Sequence, residues 1–494
     1  MDTSGDNSSG DDPDHSRSRR YLTPRTNSQS SGISSTGRKS SLERLPDILT
    51  FDYIQGTALY RDFSCVLLMK ERGDSTREEA QKILRNIRDL KLPFPLSRYF
   101  MTETAVRECF ANLCRYTPRW IEKSHTSLKG LNSSFWLPSL FRGKGCQLFV
   151  ITNDWWNIDV IVDYFIEYER IRAKKEYTTS MDEAWNDDST LETALLQTGK
   201  DVNGQTLRNG MYKTVREVVS FRATRARAFV EKIMCDNYSA SEVCGTRQLR
   251  GMRWLDISAG WGDRLLAACS LQMDYLGFDP NPSLVQGHQE MISMFGFSDH
   301  NNLRLNRDKP IDYSKLEEIE RPPIEKRQNV VCLPFESETS KSIIAADVEK
   351  NGLFDICLTS PPFYIIERYN GMRQSTEIYP EYNDWMVKFL FSSLAIAWEN
   401  IRILGYLAIS IGDIRGYNLV EPMMLFIEDC LPGSSWEGII TYSKTGTQDV
   451  PGVLYVWKKA SLDRHVLWNP LAERSFRDKY PVLFEAWTRH SQSI

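Results

Sequence analysis

Between residues 204 and 460 short apolar runs alternate with amphipathic segments, and this alternation restricts the fold more than any other feature of the chain. Trp254-Leu-Asp-Ile257, Tyr275-Leu-Gly-Phe278, Asn329-Val-Val-Cys-Leu333, Phe354-Asp-Ile-Cys-Leu358 and Tyr406-Leu-Ala-Ile-Ser-Ile411 read as buried strands. Helical spacing appears at Thr214–Met234, Arg264–Leu271, Asn281–Phe295 and Tyr382–Ile403, the last closed by Gly405 at a C′ position. Parallel strands need crossovers of this kind, so the expectation is an α/β protein with a doubly wound parallel sheet. Trp436–Tyr442 and Val453–Trp457 read as a closing hairpin.

Ligands bind such sheets at the carboxyl ends of the strands, so the residues that follow each strand matter most. The fourth strand stops at Thr359-Ser360-Pro361-Pro362-Phe363. Neither proline has an N–H, so the ladder cannot continue, and each biases its predecessor toward extended geometry. The result is a rigid bracket with one hydroxyl (Ser360), main-chain carbonyls and an aromatic face (Phe363). The first strand runs into Asp256-Ile-Ser-Ala-Gly-Trp-Gly-Asp-Arg264. Gly260 and Gly262 permit a tight turn and close approach to the backbone. The third glycine of a dinucleotide fingerprint is missing, and so is the Gly-Lys-Ser/Thr of a P-loop. Asp279 ends the next strand, roughly 20 residues on, where an acidic side chain commonly takes the two hydroxyls of a ribose. Phe335 and Glu336 end the third strand, where they either contact a base or form an ordinary loop.

In this order, DISAGWGDR, GFDPN and SPPF resemble a class I S-adenosylmethionine-dependent methyltransferase. SPPF is similar to the motif of the nucleic-acid amino-methyltransferases. Ser220-Phe-Arg-Ala-Thr-Arg-Ala226, AGWGDRL and Tyr379…Tyr382…Trp385 resemble a DNA-methyltransferase-like set from phages and large viruses. The resemblance spans roughly Asn203–Lys459. It implies a Rossmann-like seven-stranded methyltransferase sheet with S-adenosyl-L-methionine as cofactor. It also implies that Asp256, Ser258, Gly260 and Gly262 line the methionine part, that Asp279 binds the ribose, that Phe335 or Glu336 binds the adenine, and that Phe221 and Thr224 close over the methionine end. Arg264 departs from simple glycine-rich loops and reads as a structural cap or an anion contact.

An exocyclic base amine is a poor nucleophile because its lone pair is delocalised into the ring. Two acceptors for its N–H bonds, Ser360 Oγ and the Pro361 carbonyl, would localise that pair, and prepositioning them avoids reorganisation during the reaction. Pro361 and Pro362 hold the bracket, and Phe363 would stack on a base drawn out of its helix or strand. Tyr364, Glu367 and Tyr369 leave the bracket directly and either line the base pocket or pack on the next helix. Serine in this motif resembles the cytosine-N4 subset, whereas the motif order resembles adenine and RNA enzymes, so adenine N6 and cytosine N4 both stand. A protein glutamine or a small amine presents the same N–H donors. A non-catalytic subunit that keeps the fold is the remaining alternative.

The rest of the chain is less explicit. Residues 1–45 are polar and nearly devoid of apolar side chains, the composition of a disordered tail. Residues 46–202 read as a mixed α/β accessory domain for substrate recognition, 203–460 as the methyltransferase domain and 461–494 as a helical extension. Within the second segment, Leu148–Thr152 is strand-like and Asp182–Asp201 a polar connecting loop. Helical spacing over Asn157–Lys175 ends in Arg170, Arg172, Lys174 and Lys175, either a helix C-terminus or a phosphate-facing edge. A net charge of −4 requires any nucleic-acid contact to come from a local patch. Ten cysteines without paired CxxC spacing point to free thiols and no metal site. With no apolar stretch long enough to cross a bilayer and no signal core, a nuclear or cytoplasmic protein is expected.

Overall fold

In the computed structural model the described residues are 77–123, 148–153, 158, 160–175, 178–198, 202–215, 218, 220–235, 249–297, 327–370, 374–414, 416–444, 453–460 and 475–492. The expected tail, residues 1–45, lies outside them. The strands are β1 (Arg119–Lys123), β2 (Leu148–Asn153), β3 (Lys174–Lys175), β4 (Arg253–Asp256), β5 (Asp274–Phe278), β6 (Gln328–Val331), β7 (Phe354–Thr359), β8 (Glu367–Arg368), β9 (Ile401–Ile409), β10 (Ser434–Lys444) and β11 (Val453–Lys459).

Nine of them form one mixed sheet in the order β1-β2-β10-β11-β9-β7-β4-β5-β6. Strands β6, β5, β4, β7 and β9 are mutually parallel, and β11 is antiparallel to both β9 and β10. From β4 the chain winds outward through β5 and β6, then returns to place β7 on the other side of β4. The expected seven-stranded sheet is present within these nine. The two additional strands come from the segment read as a separate accessory domain. β2 pairs in parallel with β10, beginning at Leu148 opposite Ile439, and β1 pairs with β2. This ladder occupies backbone groups of β10 that would otherwise form an open sheet edge.

Alternation along the central strands fills two cores. Trp254, Ile356, Leu358 and Ala408 join one with the helices Ala223–Met234 and Asp263–Leu271. Leu255, Cys357, Leu407 and Ile409 join the other with residues 385–400 and the helix Val420–Cys430. Each fully buried large side chain contributes about 1.5–3 kcal/mol. Buried Trp254 also satisfies its indole N–H on the Leu358 carbonyl at 2.9 Å. The C-terminal helices Phe476–Lys479 and Pro481–Ser491 pack on this second core through Phe476 and Trp487.

Several local expectations change. Asp182–Asp201 is largely helical rather than a connecting loop: Met181–Trp185 starts on a Ser180 capping box and Asp188–Leu196 on Asp187. Leu191, Ala194 and Leu195 are buried with Leu207 and Met211 from Gly204–Thr214, so a polar composition concealed an apolar stripe. The helix expected over Thr214–Met234 is split, because Gly204–Thr214 ends before Arg222 adopts φ +67° and the chain restarts at Ala223. The helix from Tyr382 stops at Asn400, not Ile403, and holds a π-helical stretch over Trp385–Phe391. Gly405 lies inside β9, where a Cβ would stand 2.9 Å from the Asp355 carbonyl oxygen, so close strand approach and not a helix cap requires glycine there.

A cavity at the carboxyl ends of the central strands

The loops after β4, β5, β6, β7 and β9 open on the same side of the sheet and enclose one cavity with Phe221. β4 and β7 are neighbours on either side of the point where the winding reverses, the position at which open α/β sheets bind ligands. The glycine loop therefore stands beside the Pro-Pro bracket.

In the glycine loop, Gly260 and Gly262 have φ of +57° and +93°, in the left-handed region that side chains disfavour. Gly260 lines the cavity with Ser258, Ala259 and Trp261. Gly262 does not line it. A Cβ there would lie 2.7 Å from the Met291 sulfur, so its glycine serves packing against the helix Val285–Phe295. Asp256 likewise lies behind the wall, fully buried. Its carboxylate accepts from Arg264 Nε at 2.6 Å, the Tyr275 hydroxyl at 2.6 Å and the Ser258 N–H at 3.2 Å. Arg264 also donates to the Ser258 carbonyl and so braces the loop, while it stands among the residues that line the cavity. Buried His288 supports the loop from below, its Nε2–H donating to the Gly260 carbonyl at 2.8 Å. Burial lowers the pKa of that imidazole to about 4, so it is neutral at physiological pH.

Asp279 closes the same corner. Its Oδ2 accepts from the Gly260 N–H at 2.8 Å and its Oδ1 from the Asn281 N–H at 3.0 Å. Burial raises its pKa to about 6 against these two bonds. Each oxygen keeps lone-pair capacity toward the cavity. After β6, Phe335 packs edge-on against Phe278 at 5.1 Å between centroids. Glu336 lines the cavity with one carboxyl oxygen, Oε2, buried and lacking a hydrogen-bond partner. Burial raises this carboxyl to about 7. Phe221 is part of the lining, whereas Thr224 is fully buried in the helix beneath it.

Ser360, Pro361, Pro362 and Phe363 all line the opposite wall. The Ser360 hydroxyl donates to the Ser410 carbonyl at 3.0 Å, and the Ser410 N–H donates to the Thr359 carbonyl at 2.9 Å, which ties the tips of β7 and β9 together. The hydroxyl proton is thereby committed, and the oxygen lone pairs remain as acceptors. Glu367 and Tyr369 are also in the lining. The Tyr369 hydroxyl donates to Glu367 Oε2 at 2.5 Å, and its ring meets Trp261 edge-on at 5.5 Å. Tyr364 takes the other course open to it. Buried at φ +49°, it donates to the Pro380 carbonyl at 2.7 Å and packs on Tyr382, Trp385 and Tyr417, away from the cavity. Asp413 caps Val420–Cys430 by accepting from the Leu419 and Val420 N–H groups.

Sequence reasoning missed Ser410, Gln374, Arg225 and Asp263, which all line the cavity. Ser410 had a legible signal: it follows the last residue of β9 just as Ser360 follows the last residue of β7. Arg225 and Asp263 lie inside the singled-out segments Ser220–Ala226 and Asp256–Arg264 without having been picked from them, and only Gln374 depends on a chain crossing that no local pattern records. Among the described residues, no cluster of three or more His, Cys, Asp or Glu side chains has the spacing to hold a metal ion, and no helix is long and apolar enough to cross a membrane.

No protein-family model matches the chain, and no curated protein does. Solved structures similar to it include an rRNA methylase from Streptococcus thermophilus (10% identity, TM-score 0.28, 49% of this chain and 99% of that one). Another is magnesium protoporphyrin IX methyltransferase from Synechocystis PCC 6803, solved with bound SAM (10% identity, TM-score 0.28, 48% and 79%). A third is a SAM-dependent methyltransferase from Agrobacterium tumefaciens (13% identity, TM-score 0.28, 50% and 65%). At such TM-scores the likenesses assign no function to this chain.

Proposed function

We propose that this protein is an S-adenosylmethionine-dependent methyltransferase that modifies an exocyclic amino group of a nucleic-acid base, adenine N6 or cytosine N4. The observation that carries the reading is the Ser360–Ser410 hydrogen bond in a cavity whose other wall holds Gly260 and Asp279. It makes an ambidextrous hydroxyl into an acceptor at the place where an amine would sit. The residues of the glycine-loop side fit the cofactor. Asp279 offers carboxylate lone pairs to two ribose hydroxyls, and the orphaned Glu336 Oε2 awaits a donor such as an adenine amino group. When bound, the cofactor supplies an electrophilic methyl on a sulfonium.

Ser360 Oγ and the Pro361 carbonyl accept the two amine hydrogens, which favours a pyramidal nitrogen with a localised lone pair. Phe363 stacks on the base and fixes its plane. The bracket is rigid before substrate arrives, so little reorganisation remains for the reactive complex. The amine loses its proton only after becoming cationic, so no strong base is required. The test is nucleoside mass spectrometry after incubating the protein and S-adenosylmethionine with mixed RNA and DNA. Methylated adenine or cytosine is expected; unmodified nucleosides alongside methylated glutamine in added protein would refute the choice of acceptor.

A further inference from the structure

The basic run after the helix Ile161–Arg170 divides once folded. Arg170 is buried and donates to Asp163 at 2.6 Å, and Arg172 lies over the Tyr168 ring at 3.6 Å. Lys174 and Lys175 instead form β3, which pairs antiparallel with β8, the strand that leaves the Pro-Pro bracket. A segment distant in sequence thus braces the substrate wall. The register sets Lys175 opposite Glu367 and Lys174 opposite Arg368. Residues directly opposite in an antiparallel pair share a face, and successive residues point to opposite faces. One face of the ribbon therefore carries Glu367, which lines the cavity, together with Lys175. The other face carries two cations, Lys174 and Arg368.

Like charges directly opposite one another cost stability, and this ribbon has only two residues per strand in which to offset that cost. Arg368 is exposed, though it stands between the cavity residues Glu367 and Tyr369. Lys174 is half-exposed, and its partner is the exposed Glu183 at 3.0 Å, an ion pair worth about 0–1 kcal/mol that a stronger anion displaces. An anion placed between the two cations relieves their repulsion. Cations positioned one residue from a base pocket, facing away from it, match the geometry of a nucleotide whose base is inserted and whose phosphates remain outside.

We infer that Lys174 and Arg368 form a backbone-phosphate clamp beside the cavity, on the ribbon face opposite Glu367, which holds the polynucleotide while its base occupies the pocket. This rests on the nucleic-acid reading above. Phosphate contacts of this kind set position rather than sequence preference.

The experiment titrates fluorescent single-stranded RNA and DNA into the full-length protein across a salt series, for wild type and Lys174→Gln/Arg368→Gln. Each lost phosphate contact lowers the slope of log affinity against log salt by about 0.7 for single strands, so the double variant is expected to lose about 1.4 in slope, equally for different sequences. Affinity for S-adenosylhomocysteine, expected to match wild type, and thermal stability, expected not to fall below it because the opposed charges are removed together, serve as folding controls. Wild-type binding with an unchanged slope in the variant overturns the clamp and leaves the nucleic-acid reading standing. Absence of wild-type binding to either polymer overturns that reading itself, and the clamp with it. The single variant Arg368→Lys, which keeps the charge, should retain the slope; loss of slope there would assign the effect to ribbon structure and overturn the clamp.

Discussion

Asp279→Asn separates stability from binding at a single atom. The carboxyl moves from an ordinary 3.8 to about 6 because burial opposes its charge more than the Gly260 and Asn281 N–H groups favour it. At about 1.4 kcal/mol per tenfold, an ionised Asp279 costs the ligand-free fold up to about 3 kcal/mol at neutral pH, less whatever water in the open cavity restores. Asparagine removes that charge but gives up one of the two backbone bonds, since its amide nitrogen cannot accept, at about 1 kcal/mol. The net expectation is a variant stabilised by about 1–2 kcal/mol, a rise of a few degrees in Tm. The sign with pH follows from the raised folded pKa. The folded carboxyl takes up its proton before the unfolded one does, so wild type regains stability as pH falls through about 6 toward 3.8. The Tm gap should therefore close toward the acid side. Binding moves the other way: hydrogen bonds to a charged acceptor contribute about 1.5–3 kcal/mol, so affinity for S-adenosylhomocysteine should fall by ~10–100-fold. Differential scanning fluorimetry across pH, with calorimetric titration at neutral pH, reads both. A variant that binds as tightly as wild type, or a Tm gap that does not change with pH, would refute the reasoning.

Ser360→Ala and Phe363→Ala should each lower turnover, the serine by about 100-fold, with affinity for S-adenosylhomocysteine unchanged; parallel loss of that affinity would mean the two walls of the cavity are wrongly divided. For Glu336, whose carboxyl is raised to about 7, cofactor affinity should increase as pH rises through 7 and the carboxylate forms, and Glu336→Gln should abolish that step in a calorimetric pH series. Gly262→Ala places a Cβ at φ +93° and 2.7 Å from the Met291 sulfur. A loss of about 2–4 kcal/mol in urea denaturation is expected, and a loss below 1 kcal/mol would show that the helix Val285–Phe295 yields easily.

The strands β4, β5, β7 and β11 could be read to within a residue or two, because each is a short apolar run bounded on at least one side by Gly, Pro or Asp, and backbone chemistry acts locally. The same locality made Ser360, Pro361, Pro362, Phe363, Gly260 and Asp279 legible as candidates. It failed where one residue type has two uses. Gly262 and Asp256 belong to the loop but serve its packing, Tyr364 leaves the bracket only to turn into the aromatic cluster, and Gly405 relieves strand crowding instead of capping a helix. Which use prevails depends on the direction of a side chain, and that is fixed by neighbours far away in sequence.

By itself, then, the sequence determined the alternation, the rigid strand ends and the residue types gathered at them, because turn conformations and missing N–H groups are properties of the residues concerned. Tertiary structure alone decided that β2 extends the sheet from Leu148 opposite Ile439, that Lys174 pairs opposite Arg368, and that the Ser410 carbonyl accepts the hydrogen bond donated by the Ser360 hydroxyl. Those are pairings between distant segments. Their register is set by the burial of two whole cores and by the need of each backbone donor and acceptor for a partner, conditions that exist only once the chain has closed on itself.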